Sequence, residues 1–289
     1  LEAETGRELL VECGVAWFGR GEDGWEAESE RVLRREGVPV ERLPAEAGRD
    51  LFPSFDPGDL EFILLEPEAG VLRAGEATKA TAEAAQRAGV RLLHRTGEPG
   101  RVEADVVVWA CGAWLASLFP ELVPLRVSRQ DLYYLDTGPG WEAGEVPGWV
   151  DYGRTVYGMG GVGGGFKVAP DLEGPAWHPE SEERATDPER ERRALAYAAE
   201  RFPALAEAPL RSSKLCPYSL TPDMQFVVAP HPELDGNWIL GGGSGHGFKH
   251  GPALAEYAAA VISGERGTDE RFGLGPRGSG PNLRTAGTT

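Results

Sequence analysis

Apolar positions recur along this chain with helical spacing in some stretches and as short unbroken runs in others, and the changes mark its elements. Trp25–Glu36 carries helical spacing and stops at Gly37, and Gly75–Ala88 is an alanine-rich helix closed by Gly89. Asp187 before Pro188 predicts a capped helix running to about Arg201, ahead of Phe202-Pro203. Phe62–Leu65 reads as a short apolar strand. Val90–Leu93 and Val106–Ala110 read as buried strands, the second (VVVWA) unbroken enough for a sheet covered on both faces. Arg126–Leu135, Thr155–Met159 and Phe166–Ala169 predict antiparallel strands. Helices and buried strands interleaved with antiparallel ribbons point to an α/β (α+β) fold with one α/β lobe and one mainly β lobe. The charged run Glu180–Arg193 fits a solvated loop and helix face, and Gly273–Thr289, rich in Gly, Pro and Thr, a loose tail.

Candidate chemistry concentrates in Lys214–Gly251. A cysteine, two short strands and a glycine-crowded turn precede a helix, and Gly241–Gly251 holds six glycines in eleven residues beside His246 and Lys249. Glycine lets backbone approach a ligand closely and adopt positive φ. Pro252 suits a first helical position, which predicts a helix over Ala253–Ile262 stopped by Gly264. A helix start fed by such a loop offers N–H groups and partial positive charge to an anionic ligand edge. The same composition also fits a plain strand-to-helix turn, and composition leaves both readings open.

Charge and cysteine content narrow the classes. A formal net charge of −17 repels phosphate and anionic lipid, so nucleic acid and membrane surfaces are not expected partners. Basic positions comprise 25 Arg and only four Lys, of which Lys167 and Lys249 fall in glycine-rich turns. Cys13, Cys111 and Cys216 form no CxxC pair, which argues against a disulfide framework or zinc site and for a reducing compartment. With no signal-peptide pattern and no membrane-length apolar run, a cytoplasmic protein is expected.

The motif residues carry a resemblance. Cys216-Pro217-Tyr218-Ser219 and Gly242-Gly243-Ser244-Gly245-His246-Gly247-Phe248-Lys249 resemble the C-terminal signature of the monomeric sarcosine oxidase family, FAD-dependent oxidases of N-methylated amino acids. Glu66-Pro67-Glu68-Ala69-Gly70-Val71-Leu72, Cys111-Gly112-Ala113-Trp114 and Tyr157-Gly158 extend it, as does Leu1–Gly6 ahead of Gly14-Val15 and Phe18-Gly19. The resemblance implies a two-lobed FAD-dependent oxidoreductase fold. Residues 70–123 and 213–289 would form the FAD-binding lobe, and 1–69 and 124–212 a mainly antiparallel substrate lobe. Such enzymes are monomers acting on a small amino acid and dioxygen.

The resemblance also assigns roles. Cys216 matches the cysteine that tethers flavin through a thioether, with Lys214, two residues away on the same strand face, as the cation expected to lower its thiol pKa. Gly112, Ala113, Trp114, Gly243, Ser244, Gly245, His246, Gly247, Phe248 and Lys249 match flavin-facing positions. Lys249 is also the candidate for the substrate carboxylate, while His246 could donate toward flavin or buttress its turn. Lys167 matches the lysine that promotes dioxygen reduction, where a fixed cation lowers the barrier to superoxide. Tyr157 and Tyr218 match the aromatic wall of the substrate cavity. Asp171 stands where the family has histidine, an acceptor in place of a cation-capable donor, so the substrate is expected to differ from sarcosine.

Two features depart from the family pattern. Leu1 aligns after the N-terminal βαβ unit that binds FAD, so the flavin lobe is expected to be incomplete: either pyrophosphate and ribose contacts come from elsewhere or FAD is not held. Gly97–Val102 replaces a longer β-meander. The literal GxGxxG at Gly158–Gly163 is followed by Gly164, Gly165 and Pro170, which preclude a helix, and reads as a hairpin tip rather than a nucleotide fingerprint. The expected reaction oxidises a secondary amine to an imine that water hydrolyses, with dioxygen reduced to hydrogen peroxide. The alternatives are a relative of glycine oxidase or D-amino-acid dehydrogenase, and a catalytically silent flavoprotein scaffold.

Overall fold

A computed structural model describes residues 1–278. Its strands are β1 (Leu10–Glu12), β2 (Val15–Gly19), β3 (Glu41–Pro44), β4 (Phe62–Glu66), β5 (Gly70–Leu72), β6 (Val107–Trp109), β7 (Arg126–Leu135), β8 (Gly148–Asp151), β9 (Val156–Met159), β10 (Phe166–Pro170), β11 (Leu210–Leu220), β12 (Val227–Pro230) and β13 (Asn237–Gly241). Eight of them form one sheet in the order β11-β7-β10-β9-β8-β2-β4-β3, antiparallel except where β2 runs parallel to β8. A three-stranded sheet, β12-β13-β6, and the pair β1-β5 complete the fold.

Strand alternation divides the large sheet into two chemistries. One face carries Phe18, Trp149, Phe166 and Tyr133, all fully buried, and packs on the helix Pro188–Arg201 through Ala194, Tyr197 and Ala198. The ring of Trp149 stacks on Phe18 and Phe166 at 6.1 Å and meets Phe202 edge-on at 5.2 Å. Gly158 makes this packing possible, because a Cβ there would lie 2.4 Å from Trp149 and 2.0 Å from the Lys167 carbonyl. The first glycine of the GxGxxG string therefore serves the β9–β10 hairpin, whose strands pair from Lys167↔Met159 to Pro170↔Val156.

The helix is fixed at both ends. Asp187 Oδ1 accepts from Glu189 N at 2.8 Å and from Arg190 N, and Pro188 occupies the first turn. Near its C-terminus Tyr197 Oη donates to the buried Asp151 carboxylate at 2.8 Å, which also takes Arg20 Nη1 at 2.6 Å and has Arg201 at 3.7 Å. The Arg20 guanidinium beside Asp59, helped by Arg201, holds that carboxyl well below the usual range.

Several expectations need correction. Val90–Leu93 is irregular and exposed, because β6 takes β13 as its neighbour and residues 90–93 join no ladder among the described residues. The 106–110 run is a short strand covered on one face only. Trp109 packs into the small core with Phe119, Val227 and Ile239, while Val106 and Val108 stay exposed. Residues 273–278 are not loose, since Arg277 donates to Asp223 at 2.8 Å and to the Phe226 carbonyl at 3.0 Å; residues 279–289 lie outside the described residues. The last helix spans Gly247–Ile262, with Pro252 inside it. The turn before it is already closed by His246 N donating to Gly243 O at 2.8 Å, so helical geometry starts one turn ahead of the proline. None of the described helices is long and apolar enough to cross a membrane.

Candidate functional site

The second face of the large sheet holds the predicted residues. Pairing of Lys167 with Tyr134, of Ala169 with Tyr157 and of Cys216 with Gln130 places Lys167, Tyr157 and Cys216 on the face opposite Trp149. Tyr218, two residues beyond Cys216, joins them. Lys167 Nζ donates to Tyr157 Oη at 3.2 Å and lies 4.3 Å from that ring centre, and Tyr157 Oη meets Tyr218 Oη at 3.2 Å.

The glycine turn is stapled to the end of β11. Ser244 N donates to Ser219 O at 3.0 Å, and Ser244 Oγ accepts from Thr221 N at 3.3 Å and donates to Gly242 O at 3.2 Å. Ser244 is fully buried in the left-handed region at φ 46°, so its hydroxyl shapes the turn. Gly242, at φ 71°, passes so close to Thr221 that a Cβ would come within 2.8 Å. These contacts bring the two halves of the motif, residues 216–219 and 242–249, to one place.

Two adjoining cavities result. The larger, about 670 Å³, is walled by Cys216, by Gly112, Ala113 and Trp114, and by Gly243, Ser244, Gly245, Gly247 and Phe248. Trp114 and Phe248 are nearly half exposed there, and space is open where a Cβ of Gly112 would lie. The helix that begins at Gly247 has no side-chain cap on its first N–H groups. The smaller cavity, about 310 Å³, is bounded by Tyr157, Tyr218, Asp171, His246, Lys249 and Phe248, with Leu72, Val150 and Tyr152 as further wall. Tyr218, Gly245 and Phe248 line both.

Charge within the site follows burial. Desolvation pulls the Lys167 ammonium down to about 8, against a weaker opposing pull from Cys216 and Asp171. Burial pushes the Tyr157 phenol well above 10. The Cys216 thiol is also pushed up by burial, more than Lys167 pulls it down. The expected role of Lys214 is thus corrected: its Nζ sits 5.2 Å from the Tyr134 ring, and the cation acting on Cys216 comes from across β7. His246 donates from Nε2 to the Met224 carbonyl, 3.1 Å away, and packs edge-on against Phe226, which fits the buttressing role. Leu72, Val150 and Tyr152 were not singled out from sequence. Val150 reaches the site through the register of β8 on β9, where it pairs with Tyr157, and its local sequence carries no signal for that pairing.

A family model described as FAD dependent oxidoreductase matches residues 1–261. The chain belongs to that family. It is 30% identical to a monomeric sarcosine oxidase of Streptomyces avermitilis, over 90% of this chain and 74% of that protein. It is 26% identical to an N-methyl-L-tryptophan oxidase of Yersinia pestis, over 90% of this chain and 75% of that protein. In fold it resembles L-proline dehydrogenase from P. horikoshii, with a TM-score of 0.80 at 20% identity, covering 94% of this chain and 78% of that one. Glycine oxidase from Geobacillus kaustophilus gives 0.79 at 20% identity, covering 96% and 78%. The family makes the protein an FAD-dependent oxidoreductase, with a mixed α/β fold of the same kind as these relatives.

Proposed function

We propose that this member of the family oxidises a small secondary amine, an N-methyl amino acid or close analogue, and passes the electrons to dioxygen. The observation that carries the reading is the convergence of Cys216, the glycine turn and the start of the last helix on one cavity, with Tyr157, Tyr218 and Lys249 lining its neighbour and Lys167, which lines neither, bonded to Tyr157. The larger cavity suits the flat ring system of FAD: glycines leave room along one edge, Trp114 and Phe248 offer apolar surface, and uncapped N–H groups favour negative charge. When bound, FAD supplies the acceptor for the two electrons taken from the amine and hands them to dioxygen.

The protein's own groups do the rest. Lys249 offers an ammonium to the substrate carboxylate at the mouth of the smaller cavity, and Tyr157 and Tyr218 wall the amine. Lys167 holds a positive charge where dioxygen takes its first electron. Cys216, on the wall of the larger cavity, is the candidate for a covalent tether. Residues 70–123 and 213–289 are assigned to the flavin and 1–69 and 124–212 to the substrate, although β11 pairs with β7 of the large sheet along its whole length.

The test is direct. Acid-precipitated protein is inspected for flavin absorbance in the pellet, and soluble protein is assayed for peroxide from N-methyl amino acids. Pellet absorbance that Cys216→Ser abolishes, with peroxide formed, is the expected result. A colourless preparation that cannot be reconstituted with FAD and forms no peroxide overturns the reading.

A further inference from the structure

We propose that Arg277 is a positioning residue for the flavin: its guanidinium locks the loop between β11 and β12, and that loop fixes the glycine turn and the start of the last helix. The inference rests on the seat given to FAD in the larger cavity above, and adds a residue that lines neither cavity.

Buried charge is tolerated where a carboxylate and carbonyls answer it. The Arg277 side chain is 4% exposed. Its Nη1 donates to the Asp223 carboxylate at 2.8 and 3.2 Å and to Gln225 O at 3.3 Å. Its Nη2 donates to Phe226 O at 3.0 Å and to Gly273 O at 2.7 Å. One guanidinium thus holds three residues of the loop at once. The loop needs such a hold, because Met224 lies in the left-handed region at φ 61°, which is unfavourable for a residue with a Cβ. A lysine ammonium could keep the charge pair with Asp223, but it lacks the planar fork that meets the carbonyls beside it.

The far side of the same loop carries the glycine turn. Thr221 Oγ1 donates to Gln225 O at 2.8 Å and lies 3.3 Å from Ser244 Oγ, so the Gln225 carbonyl accepts from Arg277 and from Thr221 together. Met224 O accepts from His246 Nε2 at 3.1 Å. The Phe226 ring lines the larger cavity, meets His246 edge-on at 5.4 Å, and would lie 3.4 Å from a Cβ at Gly247, where the last helix begins. Every contact from Arg277 to the loop is therefore one step from a residue on the wall of the cavity. With the clamp gone, Met224 is free to leave its strained conformation, and the supports of Ser244, His246 and Gly247 move with it. A misplacement of about 1 Å at a reacting centre costs up to about a hundredfold in rate.

The test compares Arg277→Gln and Arg277→Lys with Arg277 itself, all in a Cys216→Ser background so that FAD binds reversibly. Without FAD, amide hydrogen exchange is followed over residues 242–248, where Ser244 N is held by Ser219 O and His246 N by Gly243 O, with the β7–β11 ladder as reference. Exchange over 242–248 is expected to be about tenfold faster in Arg277→Gln, from the loss of charge-assisted bonds, while the ladder is unchanged. The dissociation constant for FAD is expected to rise about tenfold in the same variant, with Arg277→Lys falling between the two. Should Arg277→Gln fail to fold, Asp223→Asn loosens the clamp from the loop side and is read in the same way. Exchange that quickens equally in the ladder, or not at all over 242–248, overturns the proposal, because Arg277 then acts on general stability alone. Local loosening with an unchanged FAD constant overturns it too and leaves the proposed function standing. Failure of the reference protein to take up FAD removes both.

Discussion

Replacing Lys167 by methionine tests the electrostatics of the site apart from catalysis. The substitution keeps the length and flexibility of the side chain and removes its charge. Burial lowers the ammonium from 10.5 to about 8, so the folded protein holds this proton less tightly than the unfolded chain. At about 1.4 kcal/mol per pH unit the charged lysine costs the fold about 3 kcal/mol near neutrality. The sign is the reverse of a salt-bridged lysine: the unfolded state binds more protons between pH 8 and 10.5, so stability rises through that window as the cost fades. Lys167→Met should raise the unfolding free energy by about 2–3 kcal/mol at about pH 7, allowing for the lost bond to Tyr157, and by only about 1 kcal/mol at about pH 9.5. Urea denaturation of both proteins at the two pH values measures the difference. A variant no more stable at neutral pH, or equally stabilised at both, refutes the claim that Lys167 is held charged against its environment. The same variant should reoxidise reduced flavin at least tenfold more slowly if the charge serves dioxygen. It would then be more stable and less active.

Two further outcomes follow from other parts of the molecule. Lys249→Gln removes the ammonium proposed to meet the substrate carboxylate and should raise KM for an N-methyl amino acid about tenfold with a smaller effect on kcat, measured by steady-state peroxide release; an unchanged KM would place the substrate carboxylate elsewhere. Asp151→Asn leaves the buried Arg201 and the partly buried Arg20 facing a neutral group and should cost about 3 kcal/mol in urea unfolding, whereas a loss under about 1 kcal/mol would mean that this network does not hold the helix Pro188–Arg201 to the sheet.

Local order settled much of the fold before any contact was known. Gly37 and Gly89 end their helices at positive φ, and Asp187 with Pro188 starts the long helix where cap chemistry predicts. The chemistry of Lys214–Gly251 was visible as a dense motif, and its residues do line one site. Local pattern failed where burial depends on distant partners. VVVWA looks the same whether one face or two are covered, and nothing within Val90–Leu93 says that no strand will pair with it. The charge acting on Cys216 shows the same limit. Lys214 is its neighbour in sequence, but pairing across β7 brings Lys167 to the thiol instead, 49 positions away along the chain and on the same sheet face. Sequence determined which residues could do chemistry and which backbone could bend, because φ preference, capping and side-chain type are local. Only the tertiary structure decided which of those groups meet and which proton each one holds, because register and desolvation depend on the whole sheet.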